Sequence, residues 1–192
     1  MSQQRPKEKQ RRKKHGVRLF IALYPPGEVA AQLVAHLQEL DLPEHRVTPT
    51  QQVHMTVQFL GDRLEKELDD IVDAMQRATS GLDAFDLSIE RLINWPPGRP
   101  ARMIAAETDA PAALRELHQR LVNRFAQNPR PAPDRKFRPH MTLCRFSRPK
   151  RGLRVDETVS IPAFPVRRIE LMRSTLHPSG ARHDLVQHVE LR

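Results

Sequence analysis

The chain has 192 residues, of which 39% are hydrophobic, with a formal net charge of +9 and a single cysteine. That length suits one domain or two small lobes sharing a core, and the apolar content argues against wholesale disorder. Cys144 alone excludes an internal disulfide and a multi-cysteine zinc site, and no run approaches the ~20 apolar residues needed to span a bilayer.

Two thirds of the excess charge lies at one end. Residues 1–16 hold seven Lys/Arg against one Glu, and residues 17–192 carry only +3. With no apolar periodicity, residues 1–16 are expected to form a disordered basic tail ahead of a folded domain over 17–192. A second basic cluster lies at 130–173, with twelve Lys/Arg against four acids. Such clusters suit phosphate-rich partners, and the plain alternative is a solvated surface. Basic residues before Leu19-Phe20-Ile21-Ala22-Leu23-Tyr24 resemble a signal peptide, but Pro25-Pro26 ends the apolar run too early. A cytoplasmic location follows as the expectation.

In chain order, Val17–Leu23 predicts a strand, and Val29, Leu33, Leu37 and Leu40 recur at helical spacing over 27–40. A loop with Pro43 and Pro49 leads to a strand at 53–59. Gly61-Asp62 stops it, and a helix follows over 63–79 with Leu64, Leu68, Ile71, Val72 and Met75 on its apolar face. Residues 85–89 alternate as a strand, 94–100 read as a proline loop, and 102–106 as another strand. Pro111 opens a helix whose stripe is Leu114, Leu117, Leu121, Val122 and Phe125. A loop with Pro129, Pro131 and Pro133 precedes a strand around His140, and 147–165 reads as mostly irregular. Residues 169–173 and 185–191 pair as closing strands, turned by Pro178-Ser179-Gly180.

A weak repeat runs through this order. Arg18-Leu19-Phe20-Ile21-Ala22 and Arg102-Met103-Ile104-Ala105-Ala106 each precede a proline-led helix, then a proline loop, then a histidine strand. The offset is 84 between the arginines and 86 between the histidines of His54-Met55-Thr56 and His140-Met141-Thr142. Two related α+β lobes are expected, with their histidine strands side by side at a shared cleft.

Along a strand, residues i and i+2 share a face. His54 and Thr56 therefore point one way and Val53, Met55, Val57 and Phe59 the other; His140 and Thr142 oppose Met141 and Leu143 in the same manner. Two imidazoles, with an unperturbed pKa of about 6.5, suit acid–base catalysis at a phosphodiester. Two hydroxyls can donate to the phosphate oxygens where charge builds. No metal or other cofactor is required by this scheme.

The sequence resembles the two-histidine (2H) phosphoesterases, specifically the RNA 2′,3′-cyclic phosphodiesterases, historically called 2′-5′ RNA ligases. The resemblance covers about residues 17–192. It rests on Arg18-Leu19-Phe20-Ile21-Ala22-Leu23, on His54-Met55-Thr56-Val57 with Phe59-Leu60-Gly61, and on Phe137-Arg138-Pro139-His140-Met141-Thr142-Leu143 with Arg145. It implies a bilobed α+β fold, two antiparallel sheets around a V-shaped cleft with helices outside. It also implies hydrolysis of an RNA 3′-terminal 2′,3′-cyclic phosphate to a 2′-phosphate, with a weak reverse ligation. His54 would be the proton donor to the leaving 3′ oxygen and His140 the base that activates water. Thr56 and Thr142 would hold the phosphate, with Arg145 adding charge. Strict alternation puts Arg145 on the face opposite His140, so it needs a bulge or the strand's end to reach. Phe20 is a candidate base-stacking ring, with core packing as the alternative. The expected partner is an RNA or oligonucleotide with a cyclic phosphate end, bound by a monomer.

Departures from the family pattern are the extra tail, Glu44-His45-Arg46-Val47 where many members carry a tryptophan, and His183 where a tyrosine is common. A 2′-5′ oligonucleotide or a small cyclic nucleotide is an alternative substrate, and a non-catalytic RNA-binding module is a third reading. Outside the paired motifs the histidines read as structural, Trp95 as a cover for the core with base stacking as the alternative, and Cys144 as packing.

Overall fold

The computed structural model describes residues 16–126, 137–177 and 180–192. The basic tail therefore lies outside the described residues except for Gly16, as do most of the loop with Pro129, Pro131 and Pro133 and the turn residues Pro178 and Ser179.

The chain runs β1 (Val17–Leu23), α1 (Gly27–Gln38), β2 (Arg46–Val47), β3 (Met55–Arg63), α2 (Leu68–Thr79), β4 (Phe85–Leu87), β5 (Ile89–Trp95) and β6 (Ala101–Thr108). It continues through α3 (Ala112–Phe125), β7 (His140–Lys150), β8 (Asp156–Thr158), β9 (Phe164–Val166), β10 (Arg168–His177) and β11 (Gly180–Glu190). Pro26 and Pro111 precede the first turns of α1 and α3, where a missing N–H leaves nothing unsatisfied. Short 3-10 turns at Thr50–Gln52 and Glu65–Glu67 lead into β3 and α2.

Strand pairing is antiparallel in the order β11-β10-β1-β3-β7-β6-β5-β8, with β4 and β9 forming a separate pair. This order is a palindrome of the repeat. β1 lies beside β3 as β6 lies beside β7, and the pseudo-twofold passes between the histidine strands. Those strands join through one registered pair, Met55 with Met141. Beyond it they part, and the flank of β7 is taken by β2 through Arg46–Arg145 and Val47–Cys144. The molecule is thus two antiparallel half-sheets meeting at a narrow seam.

The helices cover one face. Leu33, Leu37, Ile71, Met75, Leu114, Leu117 and Leu121 are buried there against Leu19, Ile21, Met55, Val57, Met141 and Leu143. Phe20, Ala22 and Met172 form a smaller buried cluster with Tyr24 beside it. In-register pairing places Phe59, Phe20, Met172 and Leu185 in one row across β3, β1, β10 and β11. Paired residues in adjacent strands share a face, so this row lies on the side of the sheet away from the helices.

Three expectations are corrected. The span 147–165 is not irregular: β7 continues to Lys150, and β8 and β9 follow. Asn94 and Trp95 belong to β5 rather than to the proline loop. Phe59 does not pack with Val57 but is 69% exposed. The reason for the last is a β-bulge. Between Ile21 and Ala22 the β1–β3 register slips so that Val57 is the extra residue, which reverses the parity beyond it. Among the described residues no helix is long and apolar enough to cross a membrane.

Candidate active site

Met55 and Met141 are both fully buried on the helix side. Their neighbours therefore face the other way, and continuing the antiparallel register by one residue sets His54 opposite Thr142 and Thr56 opposite His140. All four side chains are partly buried. The four residues are drawn together within one residue of the seam.

Each histidine is held in the same way. The Nδ1–H of His54 donates to the Gln52 carbonyl at 2.7 Å, and that of His140 to the Arg138 carbonyl at 2.8 Å. A carbonyl can only accept, so the proton of each neutral ring sits on Nδ1 and the lone pair on Nε2. Both imidazoles are thereby fixed as the tautomer whose Nε2 can exchange a proton with a substrate.

The β7 strand contains the twin of the β3 bulge. The β6–β7 register slips between Ile104 and Ala105, leaving Leu143 as the extra residue, as Val57 is in β3. Cys144 consequently joins the buried core, and Arg145 comes round to the side of His140 and Thr142. The bulge that Arg145 needed is present. Across the repeat, Arg145 occupies the place of Phe59.

The surroundings of the two histidines differ. Phe20 lies 5.1 Å from His54 between ring centroids, Tyr24 stacks at 5.3 Å and 29°, and His183 meets it edge-on at 4.9 Å. Burial in this aromatic box pushes His54 down to about 4, with His183, Arg145 and His140 adding repulsion and the Gln52 carbonyl opposing the shift. His140 is stacked on Trp95 at 4.0 Å and 19°. Its pKa is also lowered, first by burial, with Arg145 and Arg138 acting the same way and the Arg138 carbonyl and Glu107 opposing.

Burial lowers Arg145 as well, and Arg46, directly opposite it in β2, adds like-charge repulsion. Two guanidinium groups so placed favour an anion between or beside them. The Thr142 hydroxyl donates to the Met103 thioether sulfur at 3.3 Å. Thioether sulfur is a weak acceptor, which a phosphate oxygen would readily displace.

Phe20 is only 4% exposed and packs against Phe59 at 6.4 Å and His183 at 4.9 Å between centroids. The open ring of that row is Phe59. Trp95 neither covers the core nor stands free, because it stacks on His140. His183 is not a bystander, since it touches both His54 and Phe20, and its Nδ1 is buried without a hydrogen-bond partner among the described residues. Its departure from the family tyrosine was the only sequence signal pointing to it. His118 stacks on Phe137 at 3.9 Å, anchoring the segment that leads into His140 to α3.

Known proteins resemble this chain in sequence and in fold. The family model of the 2′-5′ RNA ligase superfamily matches residues 25–178. An RNA 2′,3′-cyclic phosphodiesterase of Thermus thermophilus is 30% identical over 184 residues, covering 92% of this chain and 91% of its own. One from Aquifex aeolicus is 26% identical over 91% of this chain and 97% of its own. Among solved structures, TT0787 of Thermus thermophilus superposes with a TM-score of 0.75 at 28% identity, over 91% of this chain and 98% of that one. E. coli LigT complexed with 3′-AMP gives the same TM-score at 20% identity, over 92% and 98%, and so speaks to the fold. With the paired histidine strands, their matched bulges and this agreement along the chain, the protein belongs to the 2′-5′ RNA ligase superfamily.

Proposed function

We propose that the protein is an RNA 2′,3′-cyclic phosphodiesterase that needs no metal. The observation that carries this reading is the pair of imidazoles, each locked with Nε2 available and each set beside the other strand's threonine at the seam. Relatives bearing that activity by name match nine tenths of the chain.

In the proposed reaction, His140 Nε2 takes a proton from a water molecule as its oxygen bonds to phosphorus. The bond between phosphorus and the 3′ oxygen breaks, and His54 Nε2 gives its proton to that oxygen, leaving a 2′-phosphate and a 3′-hydroxyl. The Thr56 and Thr142 hydroxyls and the Arg145 guanidinium stabilise the non-bridging oxygens, where charge accumulates. Phe59, backed by Phe20, offers the face on which a base stacks. The ligand is an RNA or oligonucleotide end, handled by a monomer in the cytoplasm.

One observation favours exchanging the two histidines' roles. A proton donor must carry a proton, yet burial drives His54 to about 4. The phosphodiester's negative charge offsets this by favouring the imidazolium once substrate is bound. Exchanged roles would instead release the 2′ oxygen and yield a 3′-phosphate.

Product analysis on an oligonucleotide ending in a 2′,3′-cyclic phosphate, in EDTA, separates these cases. A 2′-phosphate is expected. A 3′-phosphate would exchange the histidines, and no turnover by purified protein in EDTA would sink the proposal.

A further inference from the structure

The chain's sole tryptophan lies where the family motifs do not reach. Trp95 ends β5, pairs with Met103 of β6, and stacks on His140 with 4.0 Å between ring centroids and 19° between planes. On the same indole, the Arg138 guanidinium carbon lies 5.7 Å from the ring centroid. The backbone carbonyl of that same arginine accepts the His140 Nδ1–H.

We propose that Trp95 is a positioning residue for His140, fixing the plane of its imidazole through the stack and holding that stack in place through Arg138. A single hydrogen bond from Nδ1 sets the tautomer but leaves the ring free to swing about the bond. An indole face parallel to the ring removes that freedom. Arg138 then closes a loop of contacts: its main chain holds the imidazole, and its side chain lies over the indole that backs it. The π-face also favours a positive charge on the neighbouring imidazole. Trp95 thus eases the proton uptake that a base must perform. The charged and titratable groups that face His140 are Arg145 on its own strand, Glu107 across β6 with Arg91 bound to it, Arg138 ahead of it, and His54 across the seam.

His54 has no equivalent. Tyr24 stacks on it at 5.3 Å and 29°, a looser contact, and among the described residues no arginine lies over the Tyr24 ring. The two imidazoles are tied to the main chain alike but are backed differently.

This inference rests on the proposed role of His140, and the experiment keeps the two apart. In Trp95→Leu, kcat should fall about 10- to 100-fold, as expected when a reacting group is misplaced, with KM changing only a few-fold. Trp95→Phe, which keeps a stacking ring, should recover most of that loss. An unaltered kcat in Trp95→Leu, a loss confined to KM, or equal losses in both variants would overturn the inference.

Intrinsic fluorescence tests the contact in the unaltered protein and needs no substitution of Trp95. An imidazolium in contact with indole quenches its emission, so emission should fall as pH is lowered through the titration of His140. That fall should vanish in His140→Gln. A fall of the same size in His140→Gln would overturn the inference. Full turnover in His140→Ala, by contrast, would sink the reading of His140 itself while leaving the fluorescence result to judge the stack.

Discussion

The His54 half and the His140 half share a backbone and differ in what surrounds it. In both, the imidazole donates to the carbonyl two residues earlier, the threonine follows, and the next residue bulges. One half then presents Phe59 on a row of Phe20, Met172 and Leu185; the other presents Arg145 opposite Arg46. The repeat therefore specifies geometry, and the residues filling equivalent places specify chemistry. An apolar wall holds one histidine neutral, while a cationic wall offers itself to an anion.

Removing either imidazole should have the largest effect. His54→Ala and His140→Ala should each cost about 10²- to 10⁴-fold in kcat on a cyclic-phosphate-ended oligonucleotide, in EDTA as without it. Near-equal losses are expected, because acid and base act in one step. If one variant kept wild-type turnover, the two halves would not be partners in the same reaction.

Next come the residues that occupy the same place in the two halves. Arg145→Met should lower kcat about 100-fold by removing charge stabilisation at the phosphate. Phe59→Ala should instead raise KM by about 5- to 100-fold, the worth of one stacked base, with kcat nearly unchanged. Steady-state kinetics on the two variants would break the contrast between the walls if both changed the same parameter.

Acid stability tests the apolar wall alone. His54 titrates near 4 in the folded protein and near 6.5 unfolded, so between those values the unfolded chain binds the proton and the folded one does not. Its contribution to stability is therefore lost as pH falls from 6.5 towards 4 and is level above that window. His54→Gln should lose about 3 kcal/mol less stability than wild type between pH 7 and pH 4, read by denaturant melts. Parallel curves would mean the box around His54 is wetter than its packing implies.

The smallest effect concerns His183. With both seam histidines lowered, the kcat/KM optimum should lie below pH 6.5, and the kcat profile should sit at higher pH because bound phosphate favours the charged imidazole. His183 lowers His54, so His183→Phe should move the acid limb of kcat/KM to higher pH while keeping the ring packing. An unmoved limb would remove His183 from the site's electrostatics.

The paired lobes and the four-residue convergence were legible because they repeat with a fixed offset and because H-x-T in a strand puts both polar groups on one face. The bulges were not. Val57 and Leu143 are apolar and buried, as plain alternation would also have them, so nothing in their identity marks an extra residue. That one misreading turned Phe59 inward and made Arg145 depend on an irregularity that could only be named as a need. Trp95, Tyr24 and His183 escaped for another reason. Each reaches one of the paired histidines through strand pairing far away in the chain, and apart from the departure of His183 from the family tyrosine their positions carry no spacing that marks such contacts. The β8 and β9 strands, three residues each, are too short to show an alternation.

The seam at Met55 and Met141 has a consequence for how such a protein can change. The two imidazoles and two threonines proposed for the acid–base step sit within one residue of that pair, at the two innermost strands. The outermost strands, β11 and β8, lie three places away on either side. Substitutions in β8 leave that pair untouched, whereas β11 reaches it through His183, whose ring meets that of His54, so the two margins are unequally free to change.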